Sequence, residues 1–291
     1  MPRNFSEIWE SRVRQTLESG DVADFLDGVQ ELPGEVTQMG EENLIHIPAT
    51  SFSPDVLINN STYPIALEDY DDETIIIKLD KYQTLATKVT DDQVDGCTYP
   101  IIDAVTKSHT NKISVTKYGK ALHAIPPTSN TVDTPVLALA GDKCTYEDLV
   151  ALKRKCDAAQ WPFIGRRLVL APDHYNDMLL DRERFANVIN NINKGEVANL
   201  VAGFEIKQYV QPPLYKADGT KAAFGEVPGA TDKVASVAFV VNNMAKKTGL
   251  TKQYFSDAKT SPTTQANLLN YRHYFIAVPV EKKYIGALIS K

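Results

Sequence analysis

Few residues in this chain stand at a spacing that could do chemistry. Five histidines (His46, His109, His123, His174, His273) lie far apart, and none forms H-x-x-x-H or H-E-x-x-H, the helical spacing that aims two imidazoles at one metal. Each is therefore read as an ordinary surface or capping histidine. Asp91-Asp92-Gln93-Val94-Asp95-Gly96 echoes the start of a calcium loop, with acids at positions 1 and 5 and glycine at 6. Position 12, which needs a bidentate Glu, is Ile102, and position 3 is Gln93, so a polar turn before a helix is the better reading. No G-x-x-x-x-G-K-[ST], G-x-G-x-x-G or G-x-S-x-G occurs, which leaves no visible phosphate cradle or nucleophile elbow. Cys97, Cys144 and Cys156 are too few and too scattered for a disulfide framework, and reduced structural thiols are expected. Asn4-Phe5-Ser6, Asn59-Asn60-Ser61 and Asn60-Ser61-Thr62 match the glycosylation sequon, which a cytosolic chain cannot use. Motif by motif, no catalytic, cofactor-binding or metal-ligating residue is expected, no cofactor either, and the chain reads as something other than an enzyme.

The side chains that do concentrate are acidic. Glu68-Asp69-Tyr70-Asp71-Asp72-Glu73 places five carboxylates in six positions, a run that is either a solvated loop tip or a dock for a basic partner. It belongs to a wider asymmetry. Met1–Pro100 holds 20 acidic and 6 basic residues, net -14, and Ile101–Lys291 holds 17 and 25, net +8, which together make the overall -6. Two differently charged solvated faces would explain this, and so would head-to-tail association of an acidic front with the basic remainder of the next copy. Without a dense Lys/Arg run, nucleic-acid contact is expected to be weak and nonspecific.

The elements around these residues need a real core. The chain has 291 residues, 43% hydrophobic and 23% charged, with 10 Phe, 13 Tyr and 2 Trp, which excludes disorder and allows one large or two ordinary domains. No stretch approaches the roughly 18 apolar residues of a membrane span, and the first residues lack the pattern of a signal peptide, so a cytosolic chain is expected.

Residues 4–31 read as two short amphipathic helices, the first on Phe5, Ile8, Trp9, Val13 and Leu17, the second on Val22, Phe25, Leu26 and Val29. The pair is too short to bury its own apolar face and is expected to dock elsewhere in an assembly, with Phe5 and Trp9 as contacts. Leu44–Pro48 and the alternating Ile75, Ile77, Leu79 read as strands, separated by some twenty irregular residues, which fits a protruding two-stranded loop. A helix over about 98–125 starts near Thr98 and Pro100 and is stopped by Pro126-Pro127; its polar middle, Thr106–Lys112, leaves much of its girth exposed. Thr145-Tyr146-Glu147-Asp148 has the form of a capping box opening a helix with Leu149, Leu152, Cys156 and Ala159 on one face. Arg167–Ala171 reads as a buried strand, Pro172-Asp173 as the start of a helix, Val201–Ile206 as a strand entered through Gly203, and Val234–Val241, Tyr271–Val280 and Tyr284–Ile289 as further strands.

In element order, this chain resembles the major capsid proteins of tailed phages, the Hong Kong 97 type of shell protein. Arg167-Leu168-Val169-Leu170-Ala171-Pro172 with Leu179-Leu180-Asp181 looks like the strand–helix unit opening that family's axial domain. Val201-Ala202-Gly203-Phe204-Glu205-Ile206 before Pro212-Pro213, and Val237-Ala238-Phe239-Val240-Val241 before Met244-Ala245, are similar to its glycine-entered strand and its late strand-and-turn. The resemblance implies an α+β Hong Kong 97-type fold. Its parts are an N-terminal arm (1–43), an extended two-stranded E-loop (44–90), a peripheral domain with a long spine helix (91–140 and 231–280), and an axial domain (141–230 and 281–291).

It further implies a homo-oligomer, with hexamers and pentamers in an icosahedral phage head enclosing double-stranded DNA. Assembly in the host cytoplasm is implied, with portal, scaffolding and decoration proteins as partners and no membrane. Subunit contacts are expected at Phe5, Trp9, Glu68, Asp69, Asp71, Asp72 and Glu73. With only about 43 residues before the loop, a cleaved scaffold domain is not expected. Some relatives cross-link a loop lysine to a neighbour's asparagine; Lys78 and Lys81 lie in that region, without an identifiable acceptor. Two alternatives stand beside this reading: an encapsulin-type compartment shell of the same fold, and a soluble α/β enzyme with a site around Asp173 and His174.

Overall fold

The computed structural model describes residues 23–32, 37–39, 42–50, 56–61, 63–65, 72–90, 92, 101–180, 189–191, 196–197, 199–260, 263 and 265–291. The chain divides into two compact units, one of residues 33–80 and one of the remainder.

In the smaller unit, β2 (Thr37–Met39), β3 (Glu42–Thr50) and β4 (Asp72–Lys78) form a three-stranded antiparallel sheet in the order β2-β3-β4. β3 and β4 pair from Leu44↔Lys78 to Thr50↔Asp72, a two-stranded ribbon.

The larger unit holds two sheets. The first runs β1 (Gln30–Glu31), β15 (Met244–Ser256), β16 (Ala266–Pro279), β5 (Asp80–Gln83), with β6 (Thr87–Thr90) also paired to β16. Residues 81–90, grouped with the extended loop in the sequence reading, thus belong to this sheet. The 24-residue helix α1 (Ile101–Ala124) packs on it through Ile113 and Leu122, against Tyr271 and Phe275. Its first turns carry exposed Lys107, Ser108, Asn111 and Lys112, as the polar middle of the sequence requires. At the C-terminus, Pro126-Pro127 ends the helix, and the Lys221 ammonium donates to the carbonyls of His123 (3.0 Å) and Pro126 (2.7 Å). A cation there meets orphan carbonyls and the negative end of the dipole.

The second sheet runs β11 (Leu200–Val201), β12 (Phe204–Gln208), β8 (Arg166–Leu170), β14 (Lys233–Val240), β17 (Ile285–Ile289), β7 (Val136–Ala138), with β13 (Leu214–Tyr215) on β14. β7 and β14, grouped above with the peripheral part, are therefore strands of this sheet. Two helices cover it, α2 (Tyr146–Ala158) and α3 (Pro172–Leu180). β9 (Ile189–Asn191) and β10 (Glu196–Val197) form a separate antiparallel pair. Asp148 opens α2 as a capping box, its carboxylate accepting from the Thr145 backbone N–H at 2.9 Å. Between β11 and β12, Ala202 and Gly203 both take positive φ (49° and 83°), as a two-residue hairpin requires.

One core becomes two through β14. Val237 and Phe239 pack into the cluster beneath α1, and the alternating Ala238 and Val240 into the cluster with Leu149, Leu152, Trp161 and Phe204. The period-2 alternation of a strand is what places them on opposite faces.

The second amphipathic helix expected before residue 31 does not form over the described residues. Ala23–Leu32 makes one 3-10 turn (Asp24–Leu26) and then β1, parallel to β15. Ala23, Phe25, Leu26, Val29 and Leu32 are buried in the chain's own core, so this part of the arm needs no neighbour to cover it.

Candidate functional site

Of the acidic run, the described part is the start of β4. Asp72 and Glu73 open β4 opposite Thr50 and Ala49; Glu68, Asp69 and Asp71 lie outside the described residues, as do Phe5 and Trp9. Along β4, at about 3.3 Å per residue, Asp72 stands roughly 20 Å from Lys78. In the connection between β3 and β4, Val56, Leu57, Ile58, Tyr63 and Ile65 are all exposed. Sequence reasoning singled out the charges and passed over these side chains. Their signal was the apolar run Val56-Leu57-Ile58 directly before Asn59-Asn60, in a segment with no period to give it an inward face. Exposed apolar side chains concentrated in one segment are candidates for contact with another molecule.

The base of the arm is held by three cations. Arg167, buried on β8, donates to the carbonyls of Phe25 (2.9 Å) and Asp27 (2.6 Å). Lys246 reaches the Leu26 carbonyl at 3.3 Å, and Lys247 the Leu32 carbonyl at 2.8 Å. A short irregular segment leaves carbonyls that its own backbone cannot satisfy, and these side chains supply the donors.

The four histidines with described side chains are dispersed, each with its own non-histidine partner. His109 Nε2 lies 2.9 Å from Thr87 Oγ1, His123 Nε2 donates to the Ala222 carbonyl at 2.7 Å, and His273 Nδ1 lies 2.8 Å from Thr251 Oγ1. His174, the centre of the enzyme alternative, is buried between two serines. The Ala171 N–H donates to Ser236 Oγ (2.9 Å), and Ser290 Oγ donates to the Val234 carbonyl (3.2 Å). Ser290 is then left to accept from His174 Nε2 at 2.9 Å, and Ser236 to donate to Nδ1 at 2.7 Å. The relay satisfies every group and ties α3 to β14 and the chain's last strand; Ser236 is fully buried within it. This is the chemistry of a polar core.

Cys144 and Cys156 are buried free thiols, and burial pushes both up to about 12, which keeps them protonated and inert. Cys97 lies outside the described residues. Burial likewise brings the Lys221 amine down to about 8. Among the described residues no group of three or more His, Cys, Asp or Glu could hold a metal ion, and no helix is long and apolar enough to cross a membrane. A cavity of about 720 Å³ lies between α1 and residues 81–87, lined by Tyr82, Leu85, Val105, His109 and Ile113 among others.

Comparison with known proteins bears on what such a chain is. A family model described as phage capsid protein matches residues 72–288. Comparison with curated protein sequences gives no match. Among solved structures, the capsid of the cyanophage P-SCSP1u aligns at a TM-score of 0.63 with 14% identity, covering 94% of this chain and 91% of that one. The mature capsid of bacteriophage PhiM1 aligns at 0.58 with 12% identity, covering 94% and 89%. The head of Helicobacter pylori bacteriophage KHP40 aligns at 0.56 with 11% identity, covering 86% and 84%. At these identities the likeness is one of fold, and the fold is the Hong Kong 97-type capsid fold.

Proposed function

The chain belongs to the phage capsid protein family, and from that premise we propose that it is a major capsid protein whose copies build the hexamers and pentamers of an icosahedral head around double-stranded DNA. The observation that carries this reading is the family match over residues 72–288. The connection between β3 and β4 carries the exposed Val56, Leu57, Ile58, Tyr63 and Ile65 and, in its sequence, an acidic run, features that an isolated subunit does not need. Closed symmetric assembly uses such strips repeatedly.

In this reading the subunit is a structural protein of the virion, assembled in the host cytoplasm with a portal and scaffolding help. Decoration proteins would bind outside. The arm residues Phe5 and Trp9 and the run Glu68, Asp69, Asp71, Asp72 and Glu73 are subunit contacts. Contact with packaged DNA is nonspecific, since a mildly acidic wall without dense basic runs lets DNA stay mobile. The relatives named by both comparisons are phage capsids and heads, which favours a phage head over a cellular compartment of the same fold.

Electron microscopy and gel filtration of the purified chain, alone and with its scaffold, test the proposal. Capsomers or closed particles are expected. A stable monomer at high concentration, with no particles under any assembly condition, would overturn it.

A further inference from the structure

One side of α1 and residues 81–87 enclose the cavity of about 720 Å³. Val105, Ser108, His109, Lys112, Ile113 and Thr116 line it from the helix, at spacings of three and four that set them along one side. The opposite wall is the end of β5, the connection after it and the first residue of β6. Both walls are held by hydrogen bonds. Thr84 donates its N–H to the Tyr271 carbonyl at 3.0 Å, and its Oγ1 accepts from the Tyr271 N–H, also at 3.0 Å. His109 Nε2 stands 2.9 Å from Thr87 Oγ1 and ties helix to strand, while the Tyr271 hydroxyl donates to Thr106 Oγ1 at 3.2 Å. The cavity is therefore preformed, and its volume falls within the roughly 300–1,000 Å³ of small-molecule sites.

The lining divides by chemistry. Tyr82, Val105 and Ile113 give an apolar surface, and Leu85, on the connection between β5 and β6, is 91% exposed. Lys81 and Lys112 are exposed as well, and among the described residues no Asp or Glu lines the cavity. Burial lowers His109, so at neutral pH its ring adds a polar edge and no charge. Such a surface draws an apolar body, and two ammonium groups without a competing carboxylate draw an anion.

We infer that this cavity binds a small amphiphilic anion, an apolar body carrying one carboxylate or sulfonate, with the acid group against Lys112 and Lys81. The inference goes beyond the shell reading and does not depend on it, because every cavity residue belongs to one chain. Charge complementarity selects the class. A cationic amphiphile meets like charge at the lysines, and a neutral one gains only the apolar contact.

Fluorescence titration of the purified full chain with anilinonaphthalene sulfonate tests this. A saturable component is expected, displaced by decanoate and not by decyltrimethylammonium, whose apolar chain is similar and whose charge is opposite. Lys112→Glu, a change at an exposed position, should leave melting unchanged. It should weaken the saturable component at least about tenfold, the cost of losing one charge-assisted hydrogen bond. Val105→Trp, which fills the cavity, should abolish it. Val56→Ser, Leu57→Ser and Ile58→Ser together remove exposed apolar surface elsewhere and should leave it unaltered. The inference is overturned if titration shows no saturable component, or if Lys112→Glu binds the dye as tightly as the unsubstituted chain. Displacement by the cationic amphiphile as readily as by decanoate also overturns it, as does loss of the component in the triple serine variant with retention in Val105→Trp. None of these results bears on particle formation, so the shell reading stands or falls separately.

Discussion

Arg167 binds the carbonyl of Phe25 at 2.9 Å across 142 positions of sequence, while its Nη2 and Nε hold Glu205 Oε2 at 2.8 and 3.0 Å. One buried guanidinium therefore joins the base of the arm, the strand β8 and its parallel neighbour β12. Burial pushes the Glu205 carboxyl up, but the hydrogen bonds and charge of Arg167 outweigh it and hold the group below the usual range.

Replacing Arg167 by Met should cost about 2–3 kcal/mol, the range for charged hydrogen bonds lost at buried acceptors. For a chain of this size that is a fall in Tm of roughly 4–12 °C. Glu205→Gln should cost less, because Glu205 is partly exposed and water can take its place. Thermal melting of the subunit, with limited proteolysis around residues 23–32, checks both.

Aromatic truncation separates the two parts of the arm. Phe25 is buried and meets Tyr209 edge-on at 5.1 Å, so Phe25→Ala should destabilise the subunit by about 3–5 kcal/mol. Phe5→Ala with Trp9→Ala should leave subunit melting unchanged and weaken assembly. Unfolding of the subunit by the double variant would place those side chains in the chain's own core.

The sequence was most legible where structure is local. Thr145 and Asp148 are three residues apart and announce their capping box. Gly203 announces its hairpin, and the apolar run after Arg166 its buried strand. Ala23–Leu32 was misleading for the opposite reason. Its apolar spacing suits a helix, but the donors that hold its carbonyls, Arg167, Lys246 and Lys247, come from 140 or more positions away and favour an extended path. β14 could not be assigned to a sheet from its sequence either, because it lines both cores.

Two glycines should respond oppositely to alanine. A Cβ on Gly286 would stand 2.9 Å from the Pro135 carbonyl oxygen and 3.4 Å from the Trp161 ring. Neither can turn aside, so Gly286→Ala should cost about 1–3 kcal/mol through overpacking. A Cβ on Gly119, inside α1, would meet only the flexible end of Gln211. There the gain in helix propensity, up to about 1 kcal/mol, should leave Gly119→Ala neutral or stabilising. Urea unfolding of both variants gives the comparison.

Acid should weaken the subunit before its carboxylates titrate. Burial lowers His109, His123 and His174, and brings His273 down to about 3. All four are therefore harder to protonate in the fold than in the unfolded chain, which takes up protons near pH 6.5. Their contribution is therefore complete above pH 6.5 and is lost as pH falls below it; for His273 the loss continues to about pH 3. At pH 5, His273 alone should account for roughly 2 kcal/mol. Melting between pH 7.5 and 5 should show a marked fall that His273→Asn reduces, since Asn keeps a partner for Thr251 and does not titrate. Equal melting temperatures at both pH values would mean that these rings are hydrated.

Salt should act on assembly and hardly at all on the subunit. The five carboxylates of Glu68–Glu73 repel one another in an isolated chain, so they add nothing to its fold. Against a basic surface of another copy each contact is worth about 0–1 kcal/mol and is screened over roughly 8 Å at physiological ionic strength. Such contacts steer encounter more than they hold the product together. Changing Glu68, Asp69, Asp71, Asp72 and Glu73 to Gln or Asn should therefore slow assembly and flatten its dependence on salt, with subunit melting nearly unchanged. Light scattering after a jump into assembly buffer, at low and high salt, measures this directly. If wild type and variant assemble at the same rate at both salt concentrations, the run is a solvated tip and the steering argument fails.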